Sequence, residues 1–358
     1  MIRSPLSRAL LYVPAKLYEF GVRTRIALYQ TDYLSSGKLR APVVSIGNLT
    51  VGGTGKTPLV SFLARFLRDE GYLVGILSRG YKRASTGRVE VSNGENILCG
   101  PAQAGDEPFL LARQCPGVRV VVDANRAAAG KWLEERAPIS AFILDDGFQH
   151  LSLSRELNVV LLDANEPTGD GRMVPFGLLR EPLTGLARAD AVIITRSDHP
   201  FDQSVVKSLV SQFCKPETPV FYAYHDLTNL RRLDSDGSMK PMAFSRRRVA
   251  VLSGIARPDR FIRDLEHFGI DIALRRDFPD HHRYHDDEFR QVVRGAVDVG
   301  AEAIVTTEKD AANLSPDSLK SSQLPVYAAE LEFRCEDEPA LKRLVLRAIT
   351  GNLKERRK

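Results

Sequence analysis

Strand-length apolar runs alternating with helix-length amphipathic runs, a glycine-rich turn between one such strand and helix, and acids at the ends of later strands together predict an α/β protein. Its core is expected to be a parallel sheet, with a second, smaller α/β domain behind it and an N-terminal amphipathic helix in front. At 358 residues and 43% hydrophobic content the chain can bury a full core, which excludes a disordered or fibrous class.

The first element is the basic stretch before residue 41. It carries Arg3, Arg8, Lys16, Arg23, Arg25, Lys38 and Arg40 against Glu19 and Asp32, so it holds the whole net charge of +5 and leaves the rest of the chain neutral. Charge confined to one terminal segment argues against binding nucleic acid along the body of the protein and for contact with an anionic surface. Leu10, Leu11, Pro14, Leu17, Tyr18, Gly21 and Val22 fall near helical spacing. Such a helix either lies in a membrane interface or packs on the core, and Pro14 predicts a kink or a helix start. No apolar run is long enough to span a bilayer, and Lys16 and Glu19 interrupt any signal-peptide core. Cys99, Cys115, Cys214 and Cys335 are scattered, as expected of a reducing compartment.

The next two elements frame the glycine-rich turn. Residues 41–48 read as a buried strand and 58–72 as a helix, with Leu59, Phe62, Leu63, Phe66 and Leu67 on its apolar face. Between them "TVGGTGKT" supplies Thr50, Val51, Gly52, Gly53, Thr54, Gly55, Lys56 and Thr57 as a candidate nucleotide site. Glycines let backbone N–H groups approach phosphate oxygens, Lys56 reaches the β and γ phosphates, and the Thr57 hydroxyl suits Mg²⁺. Thr50 stands where the common pattern has glycine, and the tighter form resembles the loop of the MinD and signal-recognition NTPases. The sheet is therefore expected to be P-loop NTPase-like.

Further strands are expected at 72–81, 118–126, 157–164 and 189–198, with helices over "GDEPFLLARQC" and "NRAAAGKWLEER". "APISAFILDDGFQH" ends in Asp145 and Asp146, the place where a carboxylate meets Mg²⁺ in such sheets. If the strand continues through both, they point to opposite faces. "AQAGDEP" holds Asp106 in an acidic turn, where a carboxylate can take a proton from an attacking hydroxyl. "FPDHHRYHDDE" gathers His281, His282 and His285 with Asp280, Asp286 and Asp287, open to a proton relay or a metal. "TRSD" lies one residue from the guanine-reading [NT]-K-x-D, which keeps a GTPase or metallochaperone-type switch as the alternative function. Turn residues and charge interrupt the rhythm over 226–248, and strand, turn and helix resume after it.

"SIGNLTVGGTGKTP", "SRGY", "AGDEP", "LDDGFQH", "FPDHH" and "TTEKDAAN" occur in an order that closely resembles the tetraacyldisaccharide 4′-kinase family of Gram-negative bacteria, over nearly the whole chain. The resemblance implies an ATP- and Mg²⁺-dependent lipid kinase acting on the 4′-hydroxyl of a tetraacyldisaccharide 1-phosphate in lipid A biosynthesis. It places the protein peripherally at the cytoplasmic face of the inner membrane, on an anionic lipid surface and with no obligate protein partner. It implies Lys56 and Thr57 at the triphosphate and metal, Asp145 and Asp146 in the metal shell, and Glu181 of "LLREP" approaching the metal. Asp106 becomes a base paired with the motif histidine, which falls on His281 with His282 adjacent. Arg126 and His150 match residues lining the family's substrate site, and Arg79, at a strand end, groups with them. The implied division is a membrane-interface helix over 1–40, a P-loop kinase core over 41–225, a linker over 226–248 and a smaller domain over 249–358 that closes over the site.

Overall fold

The computed structural model describes residues 5–235 and 237–355. Arg3 of the basic segment lies outside the described residues, as do the side chains of Arg8 and Leu10. Helix α1 (Pro5–Gln30) runs without a break through Pro14. There follow β1 (Val43–Asn48), α2 (Lys56–Asp69), β2 (Val74–Ser78), β3 (Val89–Asn93), α3 (Pro101–Ala104), α4 (Asp106–Gln114), β4 (Arg119–Val122), α5 (Arg126–Glu134), β5 (Ala141–Asp145), β6 (Leu157–Asp163), β7 (Ala191–Thr195), α6 (Gln203–Phe213) and β8 (Val220–Arg232). The remainder comprises β9 (Ser238–Met239), β10 (Arg248–Ser253), α7 (Pro258–His267), β11 (Asp271–Asp277), α8 (Asp286–Asp298), β12 (Ala303–Thr307), α9 (Glu308–Ala311), α10 (Pro316–Lys320), β13 (Val326–Cys335) and α11 (Glu338–Glu355).

All strands join one sheet in the order β11-β10-β12-β13-β8-β7-β6-β1-β5-β2-β4-β3, with β9 paired to β8. The strands from β7 to β4 along this path are parallel, and β1, β2, β5 and β7 are buried throughout, as two-sided coverage by helices requires. The sheet is not parallel everywhere: β3 turns back against β4 at one edge, and β8 runs antiparallel to β13.

That second reversal lies where the sequence breaks its rhythm. Residues 226–232, expected within a linker, continue β8, whose first residues pair with β7 and whose remainder pairs with β13 from Ala223↔Cys335 to Arg232↔Tyr327. Polar residues alternate along that stretch because one strand face is only half buried, which made it read as a charged loop. Asp145 likewise ends β5, and Asp146 turns away with φ 49°, so the two acids do not continue one strand.

One face of α1 packs back on the protein. Ala15 is buried, Tyr12 meets the edge of Phe176, and Tyr18 donates to the Arg180 carbonyl at 3.0 Å. Val13, Leu17 and Phe20 lie on another face at i, i+4, i+7 spacing, Leu17 being 68% and Phe20 71% exposed. Among the described residues no helix is long and apolar enough to cross a membrane.

Candidate active site

The glycine-rich turn leaves the end of β1 and enters α2 through Gly55, which needs to be glycine for its φ of 83° and for a second reason: an added Cβ would lie 2.1 Å from Cε1 of half-buried His225. Around Gly52 and Gly53 an added Cβ would meet no described atom within 4 Å, so the turn forms an open cradle at a helix N-terminus. Pairing of Thr50 with Leu179 and donation from Val51 N–H to the Leu178 carbonyl brace its entry. Lys56 is buried beneath it, donating to Asn48 Oδ1 at 3.3 Å and lying 3.5 Å from Asp146. Thr57, on the first turn of α2, is half-buried, and the buried Thr54 hydroxyl has no hydrogen-bond partner among the described residues.

The acids at the end of β5 differ in environment. Asp145 accepts from Ser78 Oγ at 2.8 Å, while its Oδ1 is buried without a partner among the described residues. Burial, then the charges of Glu107 and Asp146, push its carboxyl up to about 7. Burial would raise Asp146 too, but Lys56 and a two-oxygen contact from Arg180, at 2.9 and 2.6 Å, outweigh it and hold that carboxyl low. Among the described residues no group of three or more His, Cys, Asp or Glu forms a self-sufficient metal cage. An orphaned carboxylate oxygen beside a second carboxylate and a hydroxyl-bearing cradle does fit Mg²⁺, which takes few protein oxygens and shares its shell with phosphate and water. Both oxygens of buried Glu181 are engaged, Oε1 by Gln149 at 2.8 Å and Oε2 by Arg188.

Asp106 opens α4 directly after Gly105, and 175 residues later in the chain His281 comes to meet it, Nδ1 lying 2.8 Å from Asp106 Oδ2. His282 faces the other way, stacked on Phe278 and 3.0 Å from Glu288, so the paired histidine is His281. A left-handed backbone at His281, with φ 66°, separates the two directions. Burial would raise the Asp106 carboxyl, yet hydrogen bonds from His281 and Asn313, then the electrostatic pull of His281 and of Lys309, hold it below the ordinary range. Glu107, on the same helical turn, raises Asp145, so α4 serves both acid sets.

Arg79 is exposed, whereas Arg126 and His150 are buried. Burial and the charge of Arg79 lower Arg126 to about 10, and burial with Arg126, Arg155, Arg25 and Arg79 lowers His150 to about 3. His150 is therefore a neutral ring inside a cluster of guanidinium groups, one of them from α1. Ser152 Oγ lies 3.0 Å from its Nε2.

"TRSD" does not form a guanine reader. Arg196 is spent on Asp163 and on the Gly53 carbonyl at 2.7 Å, and Thr195 on the Leu162 carbonyl. Arg196 thus braces the cradle, and Arg257 and Arg260 converge on the same Asp163. Pattern reading missed Arg180, Asn48, Ser78, Asn313 and Lys309. Lys309 lies inside the quoted "TTEKDAAN", and its position there was the available signal.

The family model described as Tetraacyldisaccharide-1-P 4′-kinase (LpxK) matches residues 7–350. A tetraacyldisaccharide 4′-kinase of Syntrophus aciditrophicus is 38% identical over 352 residues, covering 96% of this chain and 93% of that protein. One from Geobacter sulfurreducens is 41% identical over 336 residues, covering 93% and 91%. The crystal structure of LpxK from Aquifex aeolicus in complex with ATP superposes with a TM-score of 0.78 at 34% identity, over 96% of this chain and 99% of that one. Cradle, paired acids and Asp106–His281 contact thus occur on a chain that matches these relatives nearly end to end, and the protein belongs to the tetraacyldisaccharide-1-P 4′-kinase family.

Proposed function

We propose that this protein transfers the γ-phosphate of ATP to the 4′-hydroxyl of a tetraacyldisaccharide 1-phosphate, the lipid A kinase reaction, with Asp106 as the base. The observation that carries the assignment of roles is the 2.8 Å contact between Asp106 and His281, which sets an ionised carboxylate on the same sheet edge as the phosphate cradle. Residues 50–57 bind the triphosphate, and Lys56 neutralises charge on its outer phosphates. Thr57, Asp145 and Asp146 would hold Mg²⁺, which would supply neutralisation of phosphate charge when bound. Glu181, held by Gln149 and Arg188, would approach that shell.

The hydroxyl oxygen forms a bond to the γ phosphorus as the bond to the bridging oxygen breaks, ADP leaves with that electron pair, and Asp106 takes the hydroxyl proton. Arg79, Arg126 and His150 receive the sugar, and the surrounding guanidinium groups suit its 1-phosphate. The exposed face of α1, with its basic neighbours, rests on the anionic cytoplasmic surface of the inner membrane and brings Arg25 toward that cluster. Residues 249–358 act as the smaller domain, although their last helix α11 packs in the core cluster with β1 and α2. They hold His281 against Asp106, and keeping them closed over the core excludes water. The alternative GTPase switch lacks a base reader, since Arg196 is committed to Asp163 and Gly53.

The test is transfer from γ-labelled ATP to a tetraacyldisaccharide 1-phosphate in mixed micelles, beside GTP and a Lys56→Ala variant. Labelled lipid that requires Lys56 and prefers ATP is the expected outcome. Hydrolysis of GTP without lipid product overturns the assignment.

A further inference from the structure

We propose that Lys309 is a positioning residue that occupies the Nε2 lone pair of His281 and so fixes the ring hydrogen on Nδ1, an inference that rests on the reading of Asp106 as base. Lys309 Nζ lies 3.3 Å from His281 Nε2. An ammonium has only donors, so the contact is favourable when Nε2 presents its lone pair. The ring hydrogen then sits on Nδ1 and is donated to Asp106 Oδ2 at 2.8 Å. Protonating the ring would set N–H against N–H and place two like charges side by side.

The lysine is aimed by its surroundings. Asp280 Oδ1 pairs with its ammonium at 2.7 Å, and the other oxygen of Asp280 stands 3.8 Å from His281 Nε2. Lys309 is the second residue of α9, which is capped by Thr307 and fastened through buried Asp310. Asp310 accepts from Gly254 N–H at 3.0 Å and from the Tyr284 hydroxyl at 2.9 Å. The Gly254 carbonyl in turn accepts from His281 N–H at 3.2 Å, so one residue registers the lysine helix against the histidine turn. The ionisable groups facing the ring are Asp106 from α4, Lys309 from α9, Asp280 beside it in the chain, and Tyr81 from the segment after β2, with Lys82 donating to the Asp280 carbonyl.

An imidazolium at this place would share its positive charge with Asp106 and weaken it as a base. A neutral ring orients the carboxylate without that loss. During transfer the hydroxyl proton goes to Asp106, and the Nδ1 hydrogen stays on His281 throughout.

The experiment compares wild type, Lys309→Met and Lys309→Arg in the full chain. It measures the pH dependence of kcat/KM and the ¹⁵N imidazole signals of His281, assigned by their loss in His281→Gln. In Lys309→Met the ¹⁵N signals should lose the separation that marks a ring hydrogen fixed on Nδ1, and the acidic limb of the rate profile should move upward. Turnover on that acidic limb should fall about tenfold with ATP affinity retained. Lys309→Arg should restore most of both. Should the methionine variant not fold, Lys309→Gln, which carries no charge, gives the same readings. Unchanged ¹⁵N signals and an unshifted profile overturn the inference. Asp106→Asn separates the two readings: retained turnover there removes the base assignment, while the imidazole signals still judge the lysine.

Discussion

Asp106→Asn keeps the shape of the side chain and removes the charge that takes a proton. Turnover should fall by about 10²- to 10⁴-fold while ATP binding, followed by calorimetry, is unchanged. Because its folded carboxyl is held below the ordinary value, Asp106 contributes stability above the unfolded value and loses it as pH falls through the folded one. At this scale the sequence was legible in part. "TVGGTGKT" names its own chemistry because a cradle is local, eight consecutive residues doing one job. The Asp106–His281 contact is not local, and no periodicity joins residues 175 positions apart. Family resemblance brought the pair together, and the left-handed turn at His281 decided between two adjacent histidines.

Elements carry a different sensitivity. Gly55→Ala forces a Cβ into His225 at a positive φ, so it should cost about 2 kcal/mol or more in denaturant unfolding and abolish nucleotide binding. Gly53→Ala meets open space, so it should leave unfolding nearly unchanged and weaken ATP binding alone. Helices α4 and α9 meet through Gln114, which donates to Glu308 at 2.7 Å. Burial and the charge of Glu330 push the Glu308 carboxyl up to about 7. The folded state therefore holds that proton more tightly than the unfolded chain, and stability declines as pH rises from the unfolded value through about 7. Glu308→Gln should be more stable than wild type by about 1 kcal/mol at pH 8 and nearly equal to it at pH 5, read from thermal midpoints. Strands β1, β2, β5, β6 and β7 were visible as apolar runs because both their faces are covered. β8 escaped because its half-buried face takes polar residues, and a strand of that kind resembles a turn-rich segment until its partner is known.

At the scale of the molecule, the membrane contact proposed for α1 can be tested on its exposed face. Replacing Leu17 and Phe20 by serine should lower binding to anionic vesicles about tenfold or more, with the thermal midpoint unchanged, since both side chains are exposed in the folded protein. The basic stretch and its helix were legible from charge and spacing. The sequence could not say which helix face turns inward, because the docking partners Phe176 and Arg180 lie far along the chain. The shared strand β8 has a consequence for descent. A recombinant joining residues 1–225 of this chain to the remainder of a relative would divide one strand between two parents. Its first residues would keep neighbours they evolved beside, and the rest would face a stranger's ladder. A crossover placed in a loop spares this ladder, whereas one placed inside β8 splits it.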